Sequence, residues 1–491
     1  MTPLTHTTNN VSITTAILLI SIVVLSSGGL CAAASPGLLG SVSGTSCTAT
    51  TAPEGVIFGG APRWITGSNL PPHCEIRGVA AEKIRFVIRL PGKWQGRFLL
   101  AGCGGFCGEL QPDKEGLSNS INTSVRRGYA AITHDGGHQA PSWETGWAAD
   151  PEALEIWAHK VLPLMTQTGV AIAKSVYGIA PRYKYFAGCS NGGRLGMMAA
   201  QRYPGLFDGI AAGASIFDLS GAAGLWGAWM TQQTWPKGKP VIAPERWAVV
   251  HRKILQRCDV LDGRNDGRID KPRACTVDFS TFTNGDEPLT AAEVSALTSL
   301  YGGTRDARGA VIYPALELGS EFFGDIWLGG SESHAAWGTL ASRGYQQMLA
   351  RSLGRSPSDT PMDVDTVREM IARSPVPAIT DAVDTDLAAH ARSGSKLLLY
   401  QGLADPLIIP EPIENYYATA AERAGGLASL REHTRLFMIP GWGHCWERPA
   451  AAGDDFDPLA ALEVWVERGQ APDFLPLRSR DGHHIEQIPM R

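Results

Sequence analysis

One serine stands in a setting that would make it a nucleophile. Gly188-Cys189-Ser190-Asn191-Gly192 is a G-x-S-x-G turn between an apolar run at 183–187 and an amphipathic stretch that follows it. The turn needs small residues at 188 and 192, because a side chain there would meet the adjoining strand or helix. It lifts the serine hydroxyl to the first turn of a helix, where exposed N–H groups favour an anion. A hydroxyl is a poor nucleophile without a base, and the base needs an orienting acid. Downstream, Asp405 follows the apolar run 396–400, and His444 follows the run 435–439 in a glycine-rich loop. Asp381, Asp384 and Asp386 are rivals for the acid, but they precede their strand rather than follow it. The backbone N–H of Asn191 and that of Gly104, with Gly105 next, are the candidate donors to a developing oxyanion. Acyl transfer through a serine is the chemistry these residues imply.

The order serine, acid, histidine along the chain is that of the α/β-hydrolase arrangement. The loop Gly102-Cys103-Gly104-Gly105-Phe106-Cys107-Gly108 also stands where that arrangement places its second oxyanion donor. A dinucleotide fingerprint would require glycine at 107, where Cys107 stands, so a nucleotide-binding reading fails.

Eight cysteines follow residue 31: Cys47, Cys74, Cys103, Cys107, Cys189, Cys258, Cys275 and Cys445. An even number in an exported chain implies disulfides, with on the order of a hundred pairings open. Context narrows them. Cys189 precedes Ser190 and Cys445 follows His444, so a bridge between them would fix the serine–histidine separation. Cys258 and Cys275 flank an acidic loop holding Asp259, Asp262, Asp266 and Asp270, with Gly263 and Gly267 between. Carboxylates packed that densely repel unless solvated or bound to a hard cation, and Ca²⁺ suits such oxygen ligands best.

The elements that must position these residues alternate. Runs at 97–101, 129–133 and 183–187 read as buried strands, and 151–177 carries helical spacing (Leu154, Trp157, Val161, Met165). The alternation stops near 217 and resumes at 396, and residues 456–469 read as a last amphipathic helix. The expected architecture is α/β, a mostly parallel sheet of the α/β-hydrolase type formed by 35–216 and 389–491 and interrupted by an inserted lid domain, 217–388. Residues 11–30 are apolar or small without a charge, and Ala32-x-Ala34 fits a cleavage site, so 1–34 reads as a signal peptide and the chain as secreted or periplasmic, with a retained membrane anchor as the alternative. No later stretch is long enough to span a membrane. With 43 Lys and Arg against 48 Asp and Glu, the net charge is −5, which argues against nucleic acid as a partner. A composition that is 44% hydrophobic and 19% charged excludes wholesale disorder. Nothing in the pattern speaks to oligomeric state.

The Cys-Ser, Asp and His-Cys arrangement, with Gln201-Arg-Tyr-Pro-Gly-Leu-Phe-Asp-Gly-Ile210 and the spaced aspartates after Cys258, resembles the tannase and feruloyl esterase family. The resemblance implies an α/β-hydrolase core, a lid, and a structural calcium in that lid. Carried over, the ligands would be the side chains of Asp259, Asp262 and Asp266 and the carbonyls of Arg264 and Arg268. Arginine at those two places departs from the aliphatic residues usual in the family, although a carbonyl ligand tolerates any side chain. The Cys103/Cys107 pair is a second departure, and a bridge there would stiffen the oxyanion loop. The implied substrate is a small aromatic ester. Trp226, Trp229, Trp235, Phe322, Phe323, Trp327 and Trp337 are candidates to face its ring, and Arg343 or Arg351 would suit a substrate carboxylate. Asn122-Thr-Ser124 is a glycosylation sequon.

Overall fold

The computed structural model describes residues 40–116, 119–331, 333–360, 362–445, 447, 456–475, 477 and 488–489. Contacts divide the chain into Met1–Gly37 and Leu38–Arg491, and all the described residues belong to the second unit. The expected signal segment, 1–34, lies outside the described residues. Among those described, no helix is long and apolar enough to cross a membrane.

Among the described residues the main sheet has eleven strands; three are short edge pieces, Val56–Phe58 and Arg63–Ile65 on the strand 73–80 and Ile488–Pro489 on the strand 434–439, and eight form its body. In chain order they are β1 (His73–Ala80), β2 (Ile84–Pro91), β3 (Arg97–Ala101), β4 (Tyr129–His134), β5 (Tyr183–Cys189), β6 (Gly209–Gly213), β7 (Lys396–Gly402) and β8 (Thr434–Ile439). Their spatial order is β1-β2-β4-β3-β5-β6-β7-β8. From β4 to β8 every pairing is parallel, whereas β1–β2 and β2–β4 are antiparallel. Parallel strands covered on both faces read as continuous apolar runs, which is why 97–101, 129–133 and 396–400 are legible. The antiparallel pair before them is less so. Its outer strand carries Glu75 and Arg77, and the charges are absorbed locally: Glu75 accepts from Arg63, Arg77 and Arg89.

Alternate residues point to the two faces. Phe98, Leu100, Ile132 and Phe186 join the larger core, while Leu99, Ala131, Tyr185 and Leu398 join a second one. The first face is covered by α1 (Val161–Tyr177) and α2 (Asn191–Arg202), the second by α3 (Pro458–Arg468). The last helix starts where Asp457 caps it, its carboxylate accepting from Ala460 N at 2.9 Å, and stops at Gly469 in the left-handed region, φ 71°.

The helix expected over 151–177 is not uniform. Pro151–Glu155 is α-helical, Ile156–Lys160 is π-helical, and α1 follows. The wide turn turns carbonyls outward to a buried cation: Arg194 donates to Ala158 O at 2.8 Å and stacks over the Trp157 ring at 4.3 Å. A π-turn is the local cost of feeding that guanidinium.

Between β6 and β7 the chain is mostly helical, with one two-stranded pair, Thr304–Arg305 with Val311–Tyr313. It has its own core around Trp226, Trp247, Leu297 and Leu300. It is not a separate compact unit, however. Phe217, Leu219, Tyr345 and Leu349 pack into the main core, and contacts group the whole of Leu38–Arg491 together. Four disulfides are formed: Cys47–Cys74, Cys103–Cys107, Cys189–Cys445 and Cys258–Cys275.

Candidate active site

Ser190 sits between β5 and α2 with φ 62° and ψ −123°, a region that side chains rarely adopt. The glycines on either side explain how the turn closes. A Cβ at 188 would stand 2.6 Å from the Gly192 carbonyl, and one at 192 would stand 2.2 Å from Asn119 Oδ1. The strain, of order 1–3 kcal/mol for such a conformation, is held by the surroundings. Ser190 N donates to Gly213 O at 3.0 Å, and Arg194 N to Ser190 O at 2.9 Å. Asn119 clasps the preceding residue from across the chain, accepting from Cys189 N at 3.2 Å and donating to Cys189 O at 3.1 Å. Asn119 is itself left-handed, φ 53°, a conformation asparagine tolerates better than most. No short-range signal marks it.

Asp405, on the loop after β7, is fully buried. One oxygen accepts from Leu407 N and Ile408 N, both at 2.9 Å, and the other from Gln401 Nε2 at 3.1 Å. That second oxygen also faces His444 Nδ1 at 2.9 Å. A carboxylate accepts, so Nδ1 carries the proton and Nε2 keeps its lone pair. Burial pushes the His444 imidazole down. The charge and hydrogen bond of Asp405, helped by Glu447, outweigh burial, and its pKa lies above the ordinary value. The rival acids stand elsewhere. Asp381 binds Ser220 and Thr380 and is pushed up to about 7 by burial, while Asp384 and Asp386 are spent on local turns.

Glu447 was not singled out from the sequence. Its Oε2 accepts from Trp327 Nε1 at 2.7 Å and from His444 N at 3.3 Å, and the Trp327 ring meets His444 edge-on at 4.8 Å. The inserted segment thereby touches the histidine loop directly. The Cys189–Cys445 bridge, with Cα atoms 5.8 Å apart, ties the serine loop to the same histidine loop.

Ser190 and His444 open on one cavity of about 420 Å³, lined also by Gly102, Gly104, Gly105, Trp143, Trp327 and Trp337. Asn191 occupies the first position of α2, where a backbone N–H has no partner within the helix. Its side chain reaches back to the glycine loop, donating to Cys103 O at 3.4 Å and Cys107 Sγ at 3.2 Å. Gly105 is left-handed, φ 57°, and a Cβ there would stand 2.9 Å from Ser142 O, whereas the space beside Gly104 is open to 3.4 Å. Of the seven aromatic candidates, Trp327 and Trp337 line the cavity. Trp226, Trp229 and Trp235 instead donate to backbone carbonyls, of Pro406, Ser299 and Ser331. Phe323 packs at Gly443, and Phe322 lies against His251. Arg351 donates to Thr145, and neither it nor Arg343 lines the cavity.

In the acidic loop, Gly263 and Gly267 are left-handed, φ 95° and 79°. Asp259 accepts from Asp266 N and Gly267 N, and Asp262 from Arg264 N and Asp270 N. Arg268 is buried between Asp266, at 3.5 Å, and Asp270. Among the described residues no three acidic, histidine or cysteine side chains converge as a ready metal cluster. One oxygen stands out: Asp266 Oδ1 is buried without a hydrogen-bond partner. The sequon fails on geometry. Asn122 is 2% exposed, its amide accepting from Arg89 and donating to Glu115, so no glycosyl transfer reaches it in the folded chain.

Residues 68–486 match the family model of tannase and feruloyl esterase. The chain belongs to this family. It is 30% identical over 483 residues to mono(2-hydroxyethyl) terephthalate hydrolase of Piscinibacter sakaiensis, covering 84% of this chain and 79% of that protein. It is 30% identical to a probable feruloyl esterase B-2 of Aspergillus terreus, covering 78% of this chain and 73% of that one. Among solved structures, an esterase from Aspergillus oryzae superposes with a TM-score of 0.77 at 25% identity, over 90% of this chain and 95% of that chain. Feruloyl esterase B from the same organism superposes with a TM-score of 0.76 at 22% identity, over 91% and 96%, a likeness of fold. Family membership makes the chain a carboxylic ester hydrolase, and the sheet that carries Ser190 is of the α/β-hydrolase type.

Proposed function

We propose that this enzyme is a secreted serine esterase that cleaves esters of aromatic, phenolic acids, such as feruloyl or galloyl esters, through Ser190, His444 and Asp405. The observation that carries the reading is the buried Asp405–His444 pair at 2.9 Å opening on the same cavity as the strained Ser190. Asp405 holds the imidazole in the tautomer whose Nε2 accepts a proton. His444 takes the proton of Ser190 as the oxygen attacks the ester carbonyl. The N–H groups of Asn191 and Gly104 receive the oxyanion, and Asp405 stabilises the imidazolium. The imidazolium then protonates the leaving alcohol. Water, deprotonated by His444 in turn, releases the acid from the acyl-serine. Trp143, Trp327 and Trp337 give the aromatic group an apolar wall. Four disulfides in a chain of this composition support an oxidising, extracytoplasmic location.

The acidic loop is part of the same proposal. The side chains of Asp259, Asp262 and Asp266 and the carbonyls of Arg264 and Arg268 would hold a calcium ion, for which the orphaned Asp266 Oδ1 supplies a ready ligand. The ion would neutralise the clustered carboxylates and brace the loop that Cys258–Cys275 already closes.

The test is release of free acid from methyl gallate, methyl ferulate, chlorogenate and mono(2-hydroxyethyl) terephthalate, with Ser190→Ala alongside. Turnover abolished by the substitution supports the reading and names the acyl class. Turnover that survives Ser190→Ala refutes the serine mechanism, and cleavage of amides but of no ester moves the enzyme to the peptidases.

A further inference from the structure

The residue that follows the nucleophile is gripped from behind by a buried cation. Arg194, one turn into α2, is fully buried and does not line the cavity. Its Nε donates to Asn191 Oδ1 at 2.8 Å, its Nη1 to Ala158 O at 2.8 Å and Thr380 O at 3.0 Å, and its Nη2 to Trp157 O at 3.5 Å. These oxygens come from three separate segments: the nucleophile helix, the π-turn and the return of the inserted segment. Burial pushes the Arg194 pKa down to about 9, against the charge of Asp381, so the guanidinium stays protonated at neutral pH.

A guanidinium only donates, so the Asn191 amide turns its oxygen to Arg194 and its NH2 the other way. That NH2 meets the glycine loop at both ends of its disulfide ring, at Cys103 O (3.4 Å) and Cys107 Sγ (3.2 Å). The ring encloses Gly104 and Gly105. Phe106 N and Gly108 N are anchored on Ser142 O and Asp135 O, whereas among the described residues the Gly104 N–H has no acceptor. An oxyanion donor has to be unspent and yet held still. The bridge stiffens the ring, but a stiff ring must still be seated against the serine turn. The Asn191 amide makes that contact, and Arg194 decides which way the amide faces.

Resting on the esterase reading, we propose that Arg194 is a positioning residue for the oxyanion site: acting through the Asn191 side chain, it holds the Cys103–Cys107 ring, and so the Gly104 N–H, in register with Ser190. A cation that served packing alone would change stability and leave the chemistry of each folded molecule as it was.

The experiment compares wild type, Arg194→Met, Asn191→Leu and the double variant on the best ester, each corrected for its folded fraction. Beside kcat and KM it measures two inhibitors shaped like the acyl group, an aryl trifluoromethyl ketone and the matching amide. Ser190 Oγ adds to the ketone carbon, His444 takes the hydroxyl proton, and the carbonyl oxygen becomes the oxyanion, whereas the amide binds without an adduct. Each single variant should lower kcat and ketone affinity together by about 10–100-fold, short of the 10²–10³-fold loss of a whole donor. KM and amide affinity should stay within about twofold, because the lost interaction belongs to the transition state. The double variant should lose no more than the larger single loss, since one residue acts through the other. Losses that multiply in the double variant overturn the inference, and so does an Asn191→Leu protein with wild-type kcat and ketone affinity. If Arg194→Met does not fold, Arg194→Lys replaces it in the same cycle, because lysine keeps the charge without the fork that reaches Asn191 and Ala158 together. A wild type that neither cleaves an ester nor binds the ketone refutes the esterase reading, and the inference falls with it. A wild type that does both, matched by its variants, overturns the inference alone.

Discussion

Replacing Asp405 by asparagine isolates one property of the site. The aspartate oxygens accept from Leu407 N, Ile408 N, Gln401 Nε2 and His444 Nδ1. Asparagine can keep the two backbone donors on its own oxygen, because they share one carboxylate oxygen in the native loop. Its amide then faces Gln401 and His444 with N–H groups. His444 can satisfy it only by presenting Nδ1 as acceptor, which moves the ring proton to Nε2 and removes the lone pair that faces the serine. The fold should lose about 1–3 kcal/mol, the cost of one mismatched buried donor. The chemistry should lose far more, about 10⁴-fold in kcat, or some 5–6 kcal/mol of barrier. The pH profile gives a second readout. Asp405 raises the His444 pKa, and activity needs the neutral base, so the acid limb of kcat/KM should move to lower pH in whatever activity remains. Urea unfolding and steady-state hydrolysis of the best ester, with Ser190→Ala as the floor, measure all three quantities. Activity within tenfold of wild type, with the acid limb unmoved, would refute the assignment of Asp405 as the orienting acid.

Other outcomes follow from single contacts. Asn119→Ala strips Cys189 of partners for both its N–H and its carbonyl and puts alanine at φ 53°, so it should destabilise by about 3 kcal/mol in urea and lower kcat with it. Glu75, held at about 2 by its arginines against the upward push of burial, stabilises the folded state above the ordinary glutamate range. That contribution is lost as pH falls from about 4.5 towards 2. Glu75→Gln should therefore cost about 2–3 kcal/mol at pH 7 and nothing near pH 2, measured by urea unfolding across pH. Calcium should raise the Tm of wild type, and chelation should lower it. Asp266→Asn should abolish that response, so that its Tm is the same with calcium and with chelator, whatever stability it loses from the contact between the other Asp266 oxygen and Arg268. A calcium response that persists in Asp266→Asn counts against the proposed ligand set.

What could be read from the chain and what could not differ in range. Ser190 was visible because everything that defines its turn lies within five residues, and the collisions at 188 and 192 are local. The parallel strands were visible because burial on both faces leaves their sequences mostly apolar. His73–Ala80 was not, because its charges are paired across the sheet, where pattern along the chain does not reach. The same limit hid Asn119 and Glu447. Asn119 acts on a residue 70 positions away, and Glu447 on an indole 120 positions away. Five of the seven aromatic candidates lie away from the cavity for a related reason: composition supplies aromatic residues, but only packing tells an indole that feeds a carbonyl from one, such as Trp327 or Trp337, that faces a cavity. The cysteines bridge the two kinds of evidence. Beside Ser190 and His444 they are a local feature, yet the bond they form spans 256 residues. A covalent tie of that span sets the separation of two loops that no local propensity could hold, so the legible part of this site is the part that chemistry demands and the illegible part is what keeps it in register.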